Sequence, residues 1–174
     1  MGKYLITGRG GSGKSTIGNV LYAKGYNVFD SDESPGFVRS EDKLGNPITV
    51  DWSTHVDYSQ VAFNWQDMAV HNFFAENDNF FLCGSASNQL KYHHLFDKVF
   101  VLSLTHDKHE QNLKRRSSDY GKDTKMRAYL LEEQPAFVEA AVKLGAVVLD
   151  ANLIVEQTVD QLLGQIDDLA DMVK

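Results

Sequence analysis

A short glycine-rich stretch near the start of the chain restricts its fold more than any other part of the sequence. Residues 8–15 read GRGGSGKS and directly follow the apolar run YLIT at residues 4–7. Apolar side chains at helical spacing predict a helix from about Lys14, and Gly25 is placed to end it. The sequence therefore predicts a buried strand, a glycine loop and a helix in immediate succession.

The composition of this loop suits phosphate binding, because it matches the P-loop pattern G-x-x-x-x-G-K-[ST] in full. Glycine lets consecutive backbone N–H groups curl around phosphate oxygens, and the N-terminus of the following helix adds a positive dipole. Lys14 can reach the β- and γ-phosphates, and the Ser15 hydroxyl can ligate Mg²⁺. The expected nucleotide-binding residues of this stretch are Gly8, Gly10, Gly11, Ser12, Gly13, Lys14, Ser15 and Thr16.

The same stretch also fits G-x-G-x-x-G, a pattern that is typical of dinucleotide-binding loops. The pair Lys14-Ser15 favours the P-loop, since a hydride-transfer cofactor needs no such lysine. We therefore expect a nucleoside triphosphate as the ligand.

Short apolar runs alternate with longer amphipathic stretches along the rest of the chain. Further strands are predicted at residues 27–29, 80–83, 99–102 and 146–149, and helices at 106–117, 125–143 and from 155 to about 169. Strands that are apolar throughout are buried on both faces, and helices between them imply parallel crossovers. The pattern predicts one α/β domain over residues 1–174, with three α/β/α layers and a five-stranded parallel sheet.

Two neighbouring segments have weaker patterns. Residues 34–57 contain two prolines and two glycines without a sustained period, and we expect a long irregular loop of the kind used for binding or as a lid. A helix is predicted from Tyr58 to Asn77, with Trp65, Met68 and Phe73 on one stripe.

Composition excludes several classes of protein. The 17 basic and 24 acidic residues give a net charge of −7, which argues against a general nucleic-acid binder. A single cysteine excludes an internal disulfide framework, and no apolar run approaches the roughly 18–20 residues that cross a bilayer. The N-terminus lacks the features of a signal peptide. We expect a cytoplasmic protein that binds neither nucleic acid nor membrane and is a monomer or a small homo-oligomer.

Two carboxylates follow the second predicted strand, in Asp30-Ser31-Asp32. Alternation along an extended chain turns Asp30 and Asp32 the same way, and ligands of parallel sheets bind beyond the carboxyl ends of the strands. One carboxylate can hold Mg²⁺ while the other accepts a proton from an attacking hydroxyl. The alternative is a helix cap or a solvated turn.

A basic segment lies in the second half of the chain. Between Asp107 and Arg127 there are seven basic and four acidic residues, and residues 117–121 read as a mobile turn. Positive charge on a hinged segment suits a lid that closes over a triphosphate. We expect such a helical lid at about residues 115–125.

The third predicted strand distinguishes among P-loop proteins. It ends Leu82-Cys83-Gly84-Ser85, without the carboxylate that motor or assembly ATPases normally place there, and the base-reading Asn-Lys-x-Asp of switch GTPases is absent. The chain combines this strand end with the P-loop, Asp30-Ser31-Asp32 and the basic lid. In these features it resembles the small P-loop kinases, the group of shikimate, gluconate and nucleoside monophosphate kinases. The Asp-x-Asp element is particularly similar to that of shikimate kinases.

This resemblance implies a five-stranded parallel sheet with the P-loop strand at its centre, ATP with Mg²⁺ as phosphoryl donor, and a flexible lid. By resemblance, Asp32 contacts the acceptor hydroxyl, Asp30 lies near Mg²⁺ and Arg116 binds the ATP phosphates. Gly84 and Ser85 would border the acceptor pocket, and Arg127 occupies a place similar to that of an acceptor-binding arginine. The sequence departs from shikimate kinases at residues 84–89, where GSASNQ stands in place of a Gly-Gly-Gly run. The hydroxyl and amide groups of residues 85–89 either bind a polar acceptor or begin a helix.

Two functions follow from these residues. The first is an ATP- and Mg²⁺-dependent phosphotransferase that acts on a hydroxyl or phosphate of a small polar metabolite or nucleotide, with Lys14, Asp32 and Arg116 in catalysis. The alternative is a nucleotide-binding regulator or slow NTPase without a small-molecule acceptor. The absence of a carboxylate at the third strand makes this the second choice.

Overall fold

Strands and helices alternate along the chain in the computed structural model, which describes residues 2–51, 57–116 and 123–166. The strands are β1 (Lys3–Thr7), β2 (Val28–Asp30), β3 (Val38–Glu41), β4 (Ala62–Trp65), β5 (Phe80–Cys83), β6 (Lys98–Ser103) and β7 (Val147–Asp150). The helices are α1 (Lys14–Ala23), α2 (Asp67–Glu76), α3 (His106–Arg115), α4 (Thr124–Lys143) and α5 (Val155–Leu163), with short 3₁₀ helices at Tyr58–Gln60 and Gln89–Leu95.

Five strands form one parallel sheet in the order β2-β5-β1-β6-β7. The central strand β1 pairs with β5 on one side and with β6 on the other, so that Tyr4 lies between Phe81 and Lys98. Because all five strands run the same way, the P-loop after β1, Asp30 at the end of β2 and Ser85 after β5 lie at one edge of the sheet. The predicted fold and the central place of the P-loop strand are confirmed.

Helices cover both faces of the sheet. Ile6 on one face of β1 packs with Ile17 of α1 and Val159 of α5. Leu5 faces the other way and packs in a second core with side chains from α2 and α4. This alternation along a strand buried on both sides produces the three layers.

The sequence prediction for residues 34–77 is partly wrong. Residues 38–41 and 62–65 form an antiparallel two-stranded sheet, β3–β4, and the helix begins only at Asp67. Met68, expected on the buried stripe, is 76% exposed, whereas Trp65 is buried against Phe37 with ring centroids 5.6 Å apart. A strand of four residues inside a longer apolar stretch cannot be distinguished from a turn of helix by the spacing of its apolar side chains. Here tertiary packing favours the strand.

The other predicted helices are present with shifted ends. Helix α3 ends at Arg115, and α4 continues through Pro135, because its packing against β6 and α3 outweighs one lost backbone hydrogen bond. Most of the predicted lid, residues 117–122, lies outside the described residues, as does Leu169 at the end of the last predicted helix. In the part of the chain that is described, no helix has the length and apolar character needed to span a bilayer.

Candidate functional site

The P-loop adopts backbone angles that favour glycine. Gly11 and Gly13 have φ values of +83° and +104°, in the left-handed region that L side chains rarely adopt. A Cβ on Gly11 would also meet Leu113 of α3 at 2.7 Å. The loop is therefore a concave turn held close to α3, and it opens directly into the N-terminus of α1.

Two polar groups of this loop are in positions that suit an anion. Lys14 Nζ donates to the backbone oxygen of Gly8 at 2.7 Å and to that of Arg9 at 3.4 Å, so the ammonium group lies over the loop. The hydroxyl of Ser12 is buried without a hydrogen-bond partner among the described residues. An orphaned hydroxyl beside a lysine fits a loop that is completed by phosphate oxygens.

Helix α3 contacts the outer side of the P-loop. His109 Nε2 lies 2.7 Å from the Gly10 oxygen, and Asn112 Nδ2 donates to the Gly11 oxygen at 3.0 Å. Both residues belong to α3, which ends immediately before the predicted lid.

Helix α4, on the other side of that lid, holds Arg9. Glu133 Oε2 pairs with Arg9 Nη2 at 2.9 Å, and Gln134 Oε1 accepts the Arg9 amide at 3.3 Å. Gln134 also donates to the Leu102 oxygen of β6. Arg9 has no role predicted from the sequence, and its partners could not be predicted either, because contacts between residues 99 to 125 positions apart leave no local signal.

Replacing the buried His109 by Ala is expected to destabilise the protein by about 2 kcal/mol, since it opens a cavity and removes the partner of the Gly10 carbonyl. It should also weaken binding of the predicted nucleoside triphosphate several-fold by loosening the loop. Chemical denaturation and titration calorimetry measure the two effects. His106→Ala, at an exposed position of the same helix, is the control and should change neither.

The contribution of His109 to the stability of the fold should depend on pH. Burial lowers the pKa of His109 below its ordinary 6.5, so the unfolded chain binds a proton more readily than the folded one. Wild-type stability should therefore fall as pH drops through about 6.5, and His109→Ala should flatten that decline. Burial also lowers the pKa of His93, so part of the decline should remain. Equal slopes for wild type and variant would contradict this assignment.

Lys14 and Asp32 influence each other electrostatically. Desolvation lowers the pKa of Lys14, and the nearby Asp32 carboxylate opposes that shift. The Asp32 side chain is accessible to solvent, but the walls of the surrounding crevice exclude part of the water near its carboxyl group. This desolvation raises the pKa of Asp32, and the positive charge of Lys14 partly opposes the shift. Arg116 acts on both groups from across the crevice. A cation and a carboxylate with shifted pKa values at one crevice are typical of a reactive site.

Ser15 and Asp30 form a second polar pair beside the loop. The Ser15 hydroxyl donates to Asp30 Oδ2 at 3.2 Å, and Asp30 Oδ1 accepts the Asp32 amide at 2.9 Å. Strand β2 ends at Asp30, so the chain already turns at Ser31 and the strand alternation assumed for Asp30 and Asp32 does not extend to Asp32. The described residues contain no cluster of three or more His, Cys, Asp or Glu side chains that could hold a metal. A hydroxyl and one carboxylate fit Mg²⁺, whose shell is usually completed by phosphate and water.

A cavity of about 1190 Å³ brings most of the predicted site residues together. The predicted residues that line it are Gly10, Gly11, Ser12, Gly13, Lys14, Ser15, Thr16, Asp32, Ser85 and Arg116. Gly8 does not line the cavity, but its carbonyl oxygen accepts a hydrogen bond from Lys14, and Asp30 lies next to the cavity because it accepts a hydrogen bond from Ser15. Arg127 is not among the described residues that line the cavity; it lies in the first turn of α4, where Nη2 is 3.5 Å from the Thr124 hydroxyl.

One half of the cavity, which we call the nucleotide half after the ligand that the P-loop sequence predicts, extends from the P-loop between α3 and the β7–α5 connection. Lys108, Asn112 and Arg115 line it from α3, and Leu153 and Ile154 line it from the connection. Asp150 shapes that connection by accepting the Asn152 amide at 2.9 Å, and Asn152 in turn accepts the Thr105 amide. These residues could not be assigned to the site from the sequence, because only the sheet order places β7 beside β6.

The other half, which we call the acceptor half after the phosphoryl acceptor that the sequence predicts, lies beyond Asp32. Val38 of β3, Phe63 of β4 and residues 85–87 line it. Ser87 and Phe63 are joined by two hydrogen bonds of 2.7 and 3.1 Å, and Asn88 exchanges two more with the backbone of Trp65. The β3–β4 sheet is therefore fixed to the loop after β5 and forms a wall of this compartment.

Gly84 does not line the cavity but is buried next to it. The Ser31 amide donates to the Cys83 oxygen at 2.9 Å, which brings the two chain segments together. A Cβ on Gly84 would lie 2.0 Å from Ser31 Oγ and 2.9 Å from Ser31 Cβ. Gly84 thus allows the turn that presents Asp32 to approach the loop that presents Ser85.

Gly84→Ala is therefore expected to lower the free energy of unfolding by about 2 kcal/mol through overpacking. Urea denaturation measures this loss. The double variant Ser31→Gly/Gly84→Ala removes the clashing side chain and should recover part of it. A single variant as stable as wild type would contradict the close approach.

The fold resembles several solved kinases, although no protein-family model and no curated sequence matches this chain. Shikimate kinase from Acinetobacter baumannii in complex with shikimate has a TM-score of 0.65 at 14% identity, over 100% of this chain and 96% of that one. Deoxyadenosine kinase from M. mycoides with bound dATP has a TM-score of 0.56 at 15% identity, over 94% and 98%. A gluconokinase from Sinorhizobium meliloti 1021 has a TM-score of 0.53 at 16% identity, over 94% and 90%. By structure, the chain has the three-layer α/β/α fold of the small P-loop kinases.

Proposed function

We propose that this protein is an ATP- and Mg²⁺-dependent phosphotransferase that moves the γ-phosphoryl group of ATP to a hydroxyl or phosphate of a small polar metabolite or nucleotide. One observation carries the proposal: the cavity continues past Lys14 and Asp32 into the acceptor half. A protein that only hydrolyses or senses ATP needs no such second compartment. The similarity of the fold to kinases of three kinds of small molecule supports the same function.

The P-loop residues would bind the triphosphate. The backbone N–H groups of Gly11, Gly13 and their neighbours surround its oxygens, and the Lys14 ammonium exchanges its carbonyl contacts for the β- and γ-phosphates. Ser15 and Asp30 would hold Mg²⁺, which neutralises phosphate charge when bound. Arg116, at the cavity wall, supplies a further positive charge to the transferring group.

Asp32 would act on the acceptor. Its carboxylate orients the attacking hydroxyl and takes up the proton as the new phosphorus–oxygen bond forms and ADP departs. A carboxyl with a raised pKa is a stronger base when ionised than an ordinary aspartate, which suits this role. Ser85, which lines the same cavity, would hydrogen-bond the bound acceptor. The lid at about residues 115–125 would close over the phosphates and bring Arg116 with it.

ADP formation with and without acceptors tests this function. Mg²⁺ and ATP are kept constant while sugars, hydroxy acids, nucleosides and nucleotides are added one at a time. The proposal expects at least one compound to raise ADP formation well above the rate without acceptor. Equal rates for all compounds would favour a slow NTPase or a nucleotide-binding regulator.

A further inference from the structure

The acceptor half of the cavity is poor in positive charge. Residues 31–90 supply its walls, and they contain only two Lys or Arg side chains against nine carboxylates. Residues 52–56, which lie outside the described part, contain neither Lys nor Arg. Among the described residues, the cations that line the cavity are Arg9, Lys14, Lys108, Arg115 and Arg116, and all of them belong to the P-loop, to α1, or to α3 and the residue that follows it.

The one arginine of this region is engaged elsewhere. Arg39 Nε and Nη2 both donate to Glu41 Oε1, at 2.8 and 2.6 Å. Strand alternation turns Arg39 and Glu41 away from the face on which Val38 lines the cavity. Asn64 and Gln66 donate to the same carboxylate, and these bonds hold the pKa of Glu41 below its usual value. Glu41 therefore stays ionised and keeps Arg39 on the far side of β3.

Apart from Asp32, the described groups that face the acceptor half are neutral. Phe63 and Val38 provide an apolar wall, and Ser85 a hydroxyl. Gln89 adjoins this wall, since its oxygen accepts the Ala86 amide, and its Nε2 is buried without a hydrogen-bond partner among the described residues. Such groups bind hydroxyl, ring-oxygen and ring-nitrogen atoms, and they give a carboxylate or phosphate no counter-ion.

From this distribution of charge we infer that the acceptor is an uncharged hydroxyl compound, a free sugar or a nucleoside, and not one that carries a carboxylate or phosphate. The inference rests on the proposed function and narrows its acceptor. An anionic acceptor would lose water in the acceptor half, where Asp32 repels it and the described parts of β3, β4 and the loop after β5 turn no Lys or Arg toward it. The nearby cations Lys14 and Arg116 are engaged by the phosphates of ATP in the proposed function. A neutral compound has no charged group to desolvate and is not repelled by Asp32, and it can still present a hydroxyl to that residue.

Matched pairs of acceptors test this inference. Glucose with glucuronate, ribose with ribose 5-phosphate, and deoxyadenosine with its 5′-monophosphate each pair a neutral compound with an anionic one of the same ring structure. We expect kcat/KM for the preferred neutral member to exceed that of its anionic partner at least about tenfold, a ratio that corresponds to ~1.4 kcal/mol. An anionic member used as well as its neutral partner would overturn the inference and leave the phosphotransferase standing. Transfer to no member of any pair, with Mg²⁺-dependent ATP binding intact, would count against the proposed function itself.

Two variants examine the cause of the preference. Ser85→Arg places a cation on the acceptor wall and should lower the neutral-to-anionic ratio about tenfold. Arg39→Gln should leave that ratio within about twofold, because Arg39 faces away from the cavity. A large change in the ratio for Arg39→Gln, with unfolding temperature unchanged, would mean that Arg39 reaches the acceptor and would overturn the inference.

Discussion

Replacement of Lys14 by Met is expected to reduce phosphoryl transfer by about 10²–10³-fold, the usual loss when one preorganised charge is removed from a transition state. Lys14 Nζ is held over the P-loop by the Gly8 carbonyl, and its pKa is lowered by desolvation, so the group is poised for an anionic partner. Met keeps most of the length and apolar volume of the side chain without the charge. Initial rates with a saturating acceptor measure the effect.

Lys24→Met is the matched control for this variant, because Lys24 is an exposed lysine directly after the same helix. It should retain wild-type activity. Thermal unfolding of Lys14→Met should remain cooperative and close to that of wild type, since removal of a desolvated charge costs the fold little. A Lys14→Met protein that stays folded and transfers phosphate at an undiminished rate would remove Lys14 from the mechanism.

Replacement of Asp32 by Asn should reduce transfer by about 10²–10⁴-fold, the range for loss of a general base, while ATP affinity changes only a few-fold. Asn keeps the shape of the side chain but cannot accept the proton of the acceptor hydroxyl. Titration calorimetry with ATP and steady-state rates with acceptor separate the two effects. Glu33→Gln removes a neighbouring exposed carboxylate and should leave both quantities unchanged.

The pH profile gives this prediction a second readout. Desolvation raises the pKa of Asp32, so the base form is lost on acidification at a higher pH than for an ordinary aspartate. The acidic limb of wild-type kcat should therefore lie above the usual aspartate range, and Asp32→Asn should lose that limb. A variant that keeps the wild-type limb would assign the titration to another group.

The sheet and the P-loop could be predicted because their signals are local and strong. Apolar runs buried on both faces gave the five strands, and the order of glycines before Lys14 gave the loop. Parallel topology then placed Asp30, Asp32 and Ser85 at one edge without further information.

The β3–β4 sheet and the braces of the P-loop could not be predicted in the same way. Four-residue strands carry too short a pattern, and Trp65 also fits the helix stripe with Met68 and Phe73. Contacts such as His109 with Gly10, or Glu133 with Arg9, depend on where α3 and α4 dock on the sheet. The missed residues are those whose role is set by tertiary contact alone.

The fate of the γ-phosphate tests the central claim most directly. ATP labelled in that group is turned over with Mg²⁺ and the best uncharged acceptor, and phosphorus NMR follows the label. We expect the label to appear in a phosphorylated acceptor, in amounts equal to the ADP formed, and Asp32→Asn to slow the formation of this product by about 10²–10⁴-fold. Label found only in inorganic phosphate, at the same rate with and without acceptor, would contradict a phosphotransferase.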